Sequence, residues 1–309
     1  MPLVLGLRLA SSTSTKYRQE FSVLLDACEA GGLNPWTLSE SDFCYVTLFY
    51  ALSRSVRSVP GFISAVANIY SAAGLKIPRG PLLEGLQAGL NRLFFASDVV
   101  VQAHPLDKEE IANLLQSCDY NFFEDVVFAC WLLLSFLAAL RPQDVEGSCL
   151  RWKDVSFSKS GSIDFLIQPG KGSLFHGVFP FSAPYLQGKI TNLSAWFKLL
   201  SSFYSSRLSA NDPVFAWRSS IGSGVATPIS RAWFANKLRS KYLKSFGRLP
   251  AKLSAYSLRR GAATVYTRAG AAPTDVSRAL RHKNYETTVQ YVGSLESSAR
   301  RENFTRLAM

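Results

Sequence analysis

The side chains best suited to chemistry lie close together near the end of the chain. Arg259 stands in the segment YSLRRG that begins at residue 256, His282 follows 23 residues later, and Tyr291 comes nine residues after His282. An arginine fork grips phosphate through paired N–H groups, a histidine can donate to the same oxygens, and a phenol can attack phosphorus. The pattern predicts cleavage of a DNA strand through a covalent bond to tyrosine.

Two further cations stand earlier in the chain. Arg141 ends the most apolar segment, Val126–Leu140, where a charge is costly unless it has a partner or a ligand. Asp144 follows three residues later and can orient Arg141, although a buried Arg–Asp pair without a catalytic role is an equal interpretation. Lys171 lies in a Gly-Lys-Gly turn, where by itself it would be an ordinary turn lysine.

Positive charge is concentrated in the same C-terminal region. Residues 231–309 contain 16 Lys+Arg against 4 Asp+Glu, which equals the net charge of +12 of the whole chain. This asymmetry favours a polyanion-binding face over a basic surface that serves solubility alone. Contacts to the DNA backbone, which add affinity without reading sequence, are predicted for Lys237, Arg239, Lys241, Lys244, Arg260 and Arg281.

The elements that must position these residues are mostly helices. Before residue 97, apolar residues at helical spacing predict four, beginning at Ser14 or Thr15, at Ser39, after Pro60 and at Pro78. Two more are predicted at 107–118 and 121–140, followed by strands at Val155–Ser158, Ile163–Gln168 and Leu174–Phe181. Further helices are predicted at 189–206, 229–245, 258–269, 273–280, 284–292 and 295–307.

The predicted fold class is therefore mainly α with a small antiparallel β-sheet (α+β). We expect two domains, at residues 1–97 and 104–309, since 309 residues are too many for one small core. Lys171 would lie at the tip of a β-hairpin.

Together these motifs resemble the tyrosine recombinase (phage integrase) family over about residues 105–295. Arg141 with Asp144 matches the first arginine box, Gly170-Lys171-Gly172 the hairpin lysine, Ser257-Leu258-Arg259 the second arginine box, Leu280-Arg281-His282 the third box, and Thr287-Thr288-x-x-Tyr291 the nucleophile helix. Each motif is common by chance, but five in order and in register are specific. Residues 1–97 resemble, more weakly, the N-terminal core-binding domain of the family, which binds DNA.

The resemblance implies a role for each catalytic residue. Arg141 and Arg259 would grip the non-bridging phosphate oxygens, and His282 would donate to the same phosphate. Lys171 would protonate the departing 5′-oxygen while Tyr291 attacks, which leaves a 3′-phosphotyrosyl bond. Because that bond conserves the energy of the broken phosphodiester, no metal or other cofactor is expected.

The sequence departs from the family pattern at two positions. Tyr256 stands where the family usually has histidine, three residues before the second arginine. A phenol is a poor general base at neutral pH, but it can hydrogen-bond a phosphate oxygen or position the nucleophile. Tyr256 therefore stays among the candidate catalytic residues. Arg281 replaces the usual glycine before His282, and we expect it to add a phosphate contact.

The composition is that of a globular intracellular protein. The five cysteines include no C-x-x-C pair and the three histidines are scattered, which predicts free thiols in a reducing compartment and no metal site. The apolar run Val126–Leu140 is shorter than the roughly 20 residues of a membrane span. No signal sequence is evident. We expect a DNA-associated protein of the cytoplasm, nucleoid or nucleus.

The function predicted is site-specific DNA recombination, that is, integration or excision of DNA. The resemblance implies double-stranded DNA as the partner, gripped by a clamp of the two domains, and a homotetramer on two DNA sites. The segment after Tyr291 would dock either on a neighbouring subunit or on its own domain. The alternatives are a type IB topoisomerase-like enzyme, and a DNA-binding clamp with impaired catalysis, for which Tyr256 is the main support.

Overall fold

Helices make up most of the described structure, a computed structural model that covers residues 11–97, 102–146, 150–168, 178–204, 208–217, 226–282 and residue 288. The chain divides into two units, Met1–Val100 and Val101–Met309. The predicted fold class, mainly α with a small antiparallel sheet, is confirmed. Lys171, Tyr291 and the predicted helix at 295–307 lie outside the described residues, as does the predicted helix at 284–292 apart from residue 288.

The described secondary structure of the first unit consists of helices, namely α1 Ser11–Gly31, α2 Glu40–Ser53, a 3-10 turn Val56–Ser58, α3 Val59–Ala72 and α4 Pro81–Ser97. Ser39 begins α2 as predicted: its side chain accepts from the N–H of Asp42 at 3.2 Å, and the Asp42 carboxylate accepts from the N–H of Ser39 at 2.9 Å. This reciprocal pair satisfies two N–H groups that the helix leaves without partners.

The second unit places a three-stranded sheet among helices. Its described elements are α5 Lys108–Gln116, α6 Phe123–Leu137, α7 Pro142–Val145, a 3-10 turn Trp152–Asp154, β1 Val155–Phe157, β2 Ile163–Ile167, β3 Phe179–Ala183, α8 Leu193–Tyr204, α9 Arg231–Phe246, α10 Tyr256–Arg268 and α11 Pro273–Leu280.

Helix α6 is the centre of this unit. Every residue from Asp125 to Phe136 is buried. Helices α8, α10, α9 and α5 pack around it. The Trp131 ring stacks on Phe234 at a centroid distance of 5.1 Å and lies tilted against Phe215 at 4.9 Å. The apolar run is thus a central core helix, as predicted. None of the helices in the described ranges is long and apolar enough to cross a membrane.

The sheet is antiparallel with strand order β1-β2-β3. Ile163, Phe165 and Ile167 alternate inward along β2, and this alternation sets the register because a shift by one residue would expose all three. Phe179 pairs with Ile167, so β3 begins there and extends to Ala183. The predicted third strand, Leu174–Phe181, was therefore wrong at its C-terminal end, and its residues 174–177 lie outside the described ranges.

The two helices that lead to the predicted site end in the same kind of turn. After α6, the N–H of Ala139 donates to Phe136 O at 3.2 Å and that of Leu140 to Ser135 O at 3.0 Å. The predicted helix to residue 140 was too long, because Ala139 adopts a left-handed conformation with φ of 48°. Arg281 does the same after α11 with φ of 53°. Among the described residues, these are the non-glycine positions with positive φ.

Candidate active site

Three of the predicted catalytic residues meet at the C-terminal end of α11. Arg141 precedes α7, Arg259 lies in the first turns of α10, and His282 follows α11. The Arg141 Nη2 donates to the carbonyl oxygen of Arg281 at 3.1 Å, and the Arg259 Nη2 donates to that of Leu280. Both guanidinium groups therefore reach the backbone directly beside His282, although the three residues are up to 141 positions apart in the sequence.

Backbone carbonyls at the ends of α6 and α11 hold the arginines in place. Arg259 Nη1 donates to Ala139 O at 2.7 Å, while Arg281 donates to Ala138 O at 2.9 Å and to Ala139 O at 3.0 Å. The last carbonyls of a helix lack intrahelical donors and carry the negative end of the helix dipole. Two helix ends thus stabilise a group of cations that would otherwise repel one another.

Asp144 supplies the negative side chain of this cluster. It is 2% exposed, and its Oδ2 accepts from the N–H of Arg141 at 2.9 Å. The same oxygen lies 3.6 Å from Nη2 of Arg281. Burial lowers the pKa of the Arg281 guanidinium to about 10, and the Asp144 carboxylate opposes that effect. Arg281 consequently stays charged at neutral pH.

His282 is buried beside these cations. Burial, with Arg259, Arg141 and Arg281 nearby, lowers the pKa of its imidazole to about 4, so the ring is neutral at pH 7. The N–H of His282 donates to Ser277 O at 3.1 Å, and its Nδ1 lies 2.7 Å from Oγ1 of Thr288. Thr288 is fully buried. The hydroxyl of Thr288 thus orients the imidazole, a role that the sequence motif alone did not assign to it.

Tyr256 lies at the start of α10, next to the first arginine box. Its side chain is exposed, and its hydroxyl donates to Oε1 of Gln143 at 3.3 Å. Gln143 is two residues from Arg141. The residue in place of the usual histidine is therefore at the solvent-facing edge of the same region.

The predicted DNA-contact residues occupy different environments. Arg239 and Lys244 are exposed on α9. Lys237 and Lys241 on the same helix form ion pairs with Asp125 at 3.0 and 2.5 Å. Arg260 and Arg281 are buried, with exposed fractions of 7% and 5%. A contact of Arg260 or Arg281 with DNA stays a prediction, and burial alone does not decide it, because the predicted catalytic Arg259 is itself only 4% exposed.

Strand β3 approaches the cluster through Phe179. The Arg281 guanidinium lies over the Phe179 ring, 4.3 Å from its centroid. The predicted general acid, Lys171, and the predicted nucleophile, Tyr291, lie outside the described residues, so their roles stay predictions. In the described part of the chain, no group of three or more His, Cys, Asp or Glu side chains is arranged to hold a metal ion.

Comparisons with solved structures show the same fold. The Tn1549 transposon integrase in complex with transposon right end DNA matches with a TM-score of 0.65 and 15% identity, over 98% of this chain and 95% of that chain. The XerH site-specific recombinase bound to difH substrate matches with a TM-score of 0.61 and 16% identity, over 91% and 76% of the two chains. A lambda integrase dimer bound to a COC′ core site matches with a TM-score of 0.57 and 13% identity, over 94% and 74%.

Sequence comparison identifies the family. No curated protein matches the chain. The model of the phage integrase family matches residues 104–297, which is well over half of the chain and includes both arginine boxes and the histidine box. The chain therefore belongs to the phage integrase family, the tyrosine recombinases.

Proposed function

We propose that this protein is a site-specific recombinase that cleaves and rejoins DNA strands through a 3′-phosphotyrosyl intermediate. The observation that carries the proposal is the cluster of Arg141, Arg259 and His282 at the ends of α6 and α11. Phosphoryl transfer requires stabilisation of charge and alignment of the reacting oxygens more than any other assistance. Two preorganised guanidinium groups beside one imidazole meet that requirement.

The arginines bind the two non-bridging oxygens of the scissile phosphate. A guanidinium is planar and presents paired N–H groups, which match two phosphate oxygens in a way that lysine cannot. Their cationic field also favours ionisation of the attacking phenol. A free phenol is ionised to about one part in 10³ at pH 7, equivalent to roughly 4 kcal/mol that nearby cations must offset.

His282 donates to the phosphate as a neutral imidazole. A neutral ring has one N–H, and the partner at Nδ1 determines which nitrogen carries it. We assign the Thr288 hydroxyl as donor to Nδ1, at the observed separation of 2.7 Å. In that tautomer the proton is on Nε2, which is then the donor to the phosphate oxygen.

Lys171 and Tyr291 complete the reaction in this proposal. Tyr291 releases its phenolic proton to water and attacks phosphorus as the phenolate, and Lys171 protonates the 5′-oxygen as the P–O bond to it breaks. The reverse attack by a 5′-hydroxyl restores the phosphodiester and releases Tyr291. Tyr256 donates from its hydroxyl to Gln143 at the exposed edge of the site, and we assign it no step that a histidine at the same position could not perform.

Binding of DNA involves both parts of the chain. We assign residues 1–97 as a core-binding domain and 104–309 as the catalytic domain, which together clamp the duplex. Arg239 and Lys244 are exposed on α9 and suited to contact the phosphate backbone of DNA. Lys237 and Lys241 would have to break their ion pairs with Asp125 to do the same. Lambda integrase has been solved as a tetramer bound to a Holliday junction, and we propose a homotetramer on two DNA sites here.

Covalent capture from a DNA library tests the function without knowledge of the target site. Nicked duplexes with randomised sequence trap any 3′-phosphotyrosyl adduct, because the short strand beyond the nick diffuses away after cleavage. Adducts that resist detergent are recovered and sequenced. We expect adducts enriched in one sequence, and none with Tyr291→Phe, while Tyr185→Phe, an exposed tyrosine on the sheet side of the domain, behaves as wild type.

The same assay separates the alternatives. Adducts on DNA of any sequence, with relaxation of supercoiled plasmid, would indicate a topoisomerase-like enzyme. DNA binding without an adduct would indicate an impaired clamp. An adduct that persists in Tyr291→Phe would exclude Tyr291 as the nucleophile.

A further inference from the structure

Arg281 occupies a backbone position at which a side chain is unfavourable. Its φ and ψ of 53° and 44° are left-handed, and its N–H donates to Arg278 O at 3.0 Å in the turn that ends α11. Glycine is usual at this position of a helix end, because the Cβ of any other residue crowds the following carbonyl oxygen. The contacts of the Arg281 side chain must therefore compensate for a strained backbone.

Those contacts link the end of α11, where Arg281 stands, to the end of α6, to α7 and to β3. The guanidinium donates to Ala138 O and Ala139 O at the end of α6, at 2.9 and 3.0 Å. It lies 3.6 Å from the Asp144 carboxylate in α7 and 4.3 Å from the ring centroid of Phe179 in β3. With 6% of its side chain exposed, Arg281 faces the interior of the protein.

Arg141 and Arg259 each donate to a backbone carbonyl oxygen that belongs to Arg281 or accepts from its side chain. The carbonyl oxygen of Arg281 accepts from Nη2 of Arg141 at 3.1 Å. The Ala139 carbonyl, to which Arg281 donates, also accepts from Nη1 of Arg259 at 2.7 Å. A movement of residue 281 would displace one anchor of Arg141 directly, and would leave one anchor of Arg259 with a single donor.

We propose that Arg281 is a positioning residue, which fixes the backbone carbonyls that orient Arg141 and Arg259 and does not itself contact DNA. This inference rests on the proposed recombinase function. It gives the arginine that replaces the usual glycine a role inside the protein, in place of the phosphate contact that the sequence predicted.

The test compares Arg281 variants in the assay with nicked DNA described above, on the DNA sequence that covalent capture recovers (the captured site). Arg281→Lys keeps the charge but loses the paired N–H donors, and Arg281→Gly relieves the backbone but removes every contact. Arg278→Gln is the matched control on the same helix, since its side chain is 76% exposed and pairs only with the exposed Asp275 among the described side chains. DNA affinity, the single-turnover rate of adduct formation at saturating DNA, and thermal unfolding are measured for each.

We expect both Arg281 variants to bind DNA within about threefold of wild type and to form the adduct at least about tenfold more slowly, since a displacement of 1 Å at a reacting centre can cost 10²-fold. Arg278→Gln should change neither quantity. A reduced rate at saturating DNA with unchanged affinity distinguishes positioning from a direct DNA contact.

Each other result overturns the inference. Wild-type rates in folded Arg281 variants would show that Arg281 is not needed, while the recombinase function would stand. A loss of affinity with an unchanged saturating rate would show that Arg281 contacts DNA. Absence of an adduct with the wild-type protein would contradict the recombinase function itself.

If neither Arg281 variant folds, the Phe179→Leu variant provides the test, because it removes only the ring beneath the guanidinium. Slower adduct formation at unchanged DNA affinity would support the positioning role, and a wild-type rate would exclude it.

Discussion

Arg259 and Arg281 donate to one carbonyl oxygen, that of Ala139, at 2.7 and 3.0 Å. Two cationic groups that share an acceptor repel each other, and Arg141 adds a third charge nearby. The ends of two helices and the carboxylate of Asp144 provide the compensating negative potential. Protein groups therefore hold the three arginines in place, and such preorganisation is what the proposed stabilisation of a charged transition state requires.

Removal of the negative charge at Asp144 should destabilise the protein. In Asp144→Asn, the amide oxygen can still accept from the N–H of Arg141, but the charge 3.6 Å from Arg281 is lost. Breaking such a buried pair costs roughly 3 kcal/mol. Asp275→Asn, which disrupts the exposed pair with Arg278, should cost less than about 1 kcal/mol. Urea unfolding of both variants checks the difference, and equal midpoints would contradict it.

Stability should fall between pH 6.5 and pH 4 because of His282. The folded-state pKa of about 4 lies below the ordinary value of 6.5, so the unfolded chain binds the proton more tightly. The contribution of the neutral His282 ring to the free energy of unfolding is fully present above pH 6.5. It decreases as the pH falls toward 4, by up to about 3 kcal/mol. His282→Gln should have a flatter profile across this window. A titration of His282 by NMR with a midpoint near 6.5 would refute the expectation.

Loss of the Thr288 hydroxyl should impair catalysis more than stability. Thr288→Val removes the hydrogen-bond partner of His282 Nδ1, so that the ring proton is no longer restricted to Nε2. We expect unfolding free energy to fall by about 1 kcal/mol and adduct formation to slow by at least about tenfold. Thr288→Ser retains the hydroxyl and should restore most of the rate. If the valine and serine variants form adducts equally fast, the hydroxyl has no role in orienting the imidazole.

Tyr256→His should leave adduct formation unchanged or increase it. The substitution restores the residue usual in the family at the start of α10, and the phenol it replaces is exposed with a single described partner, Gln143 at 3.3 Å. Single-turnover rates on the captured site measure the effect, with Tyr256→Phe as the comparison that removes only the hydroxyl. A large loss in Tyr256→His would reveal a specific role for the phenol.

Alanine should have opposite effects at two helical glycines. A Cβ at Gly261 in α10 would overlap the carbonyl oxygen of Leu106, whereas one at Gly85 in α4 meets nothing within 4 Å. Gly261→Ala should destabilise by at least about 2 kcal/mol through overpacking against backbone. Gly85→Ala should stabilise by up to about 1 kcal/mol through helix propensity. Thermal or urea unfolding checks both signs, and a stable Gly261→Ala would contradict the close packing of residue 106 on α10.

Local signals in the sequence located the elements well where they were strong. Ser39 and Asp107 have acidic residues three positions later and begin helices through reciprocal caps. The apolar run that became α6 was recognised, but its end was placed three residues late. Ala139 has no sequence feature that marks a left-handed turn, since alanine is a favourable helix residue. The carbonyl oxygens of this turn accept hydrogen bonds from Arg259 and Arg281, contacts between distant parts of the chain that no local signal encodes.

The sequence by itself determined the family, the fold class and the candidate residues, because motif order, charge distribution and apolar periodicity are properties of the chain. Only the tertiary structure decided how those residues are used. It directed Arg281 inward, committed Lys237 and Lys241 to Asp125, and placed Thr288 against His282. The physical reason is that the carbonyl groups at helix ends accept hydrogen bonds from these arginines only where the packing of α6, α10 and α11 brings the carbonyls and the arginines together.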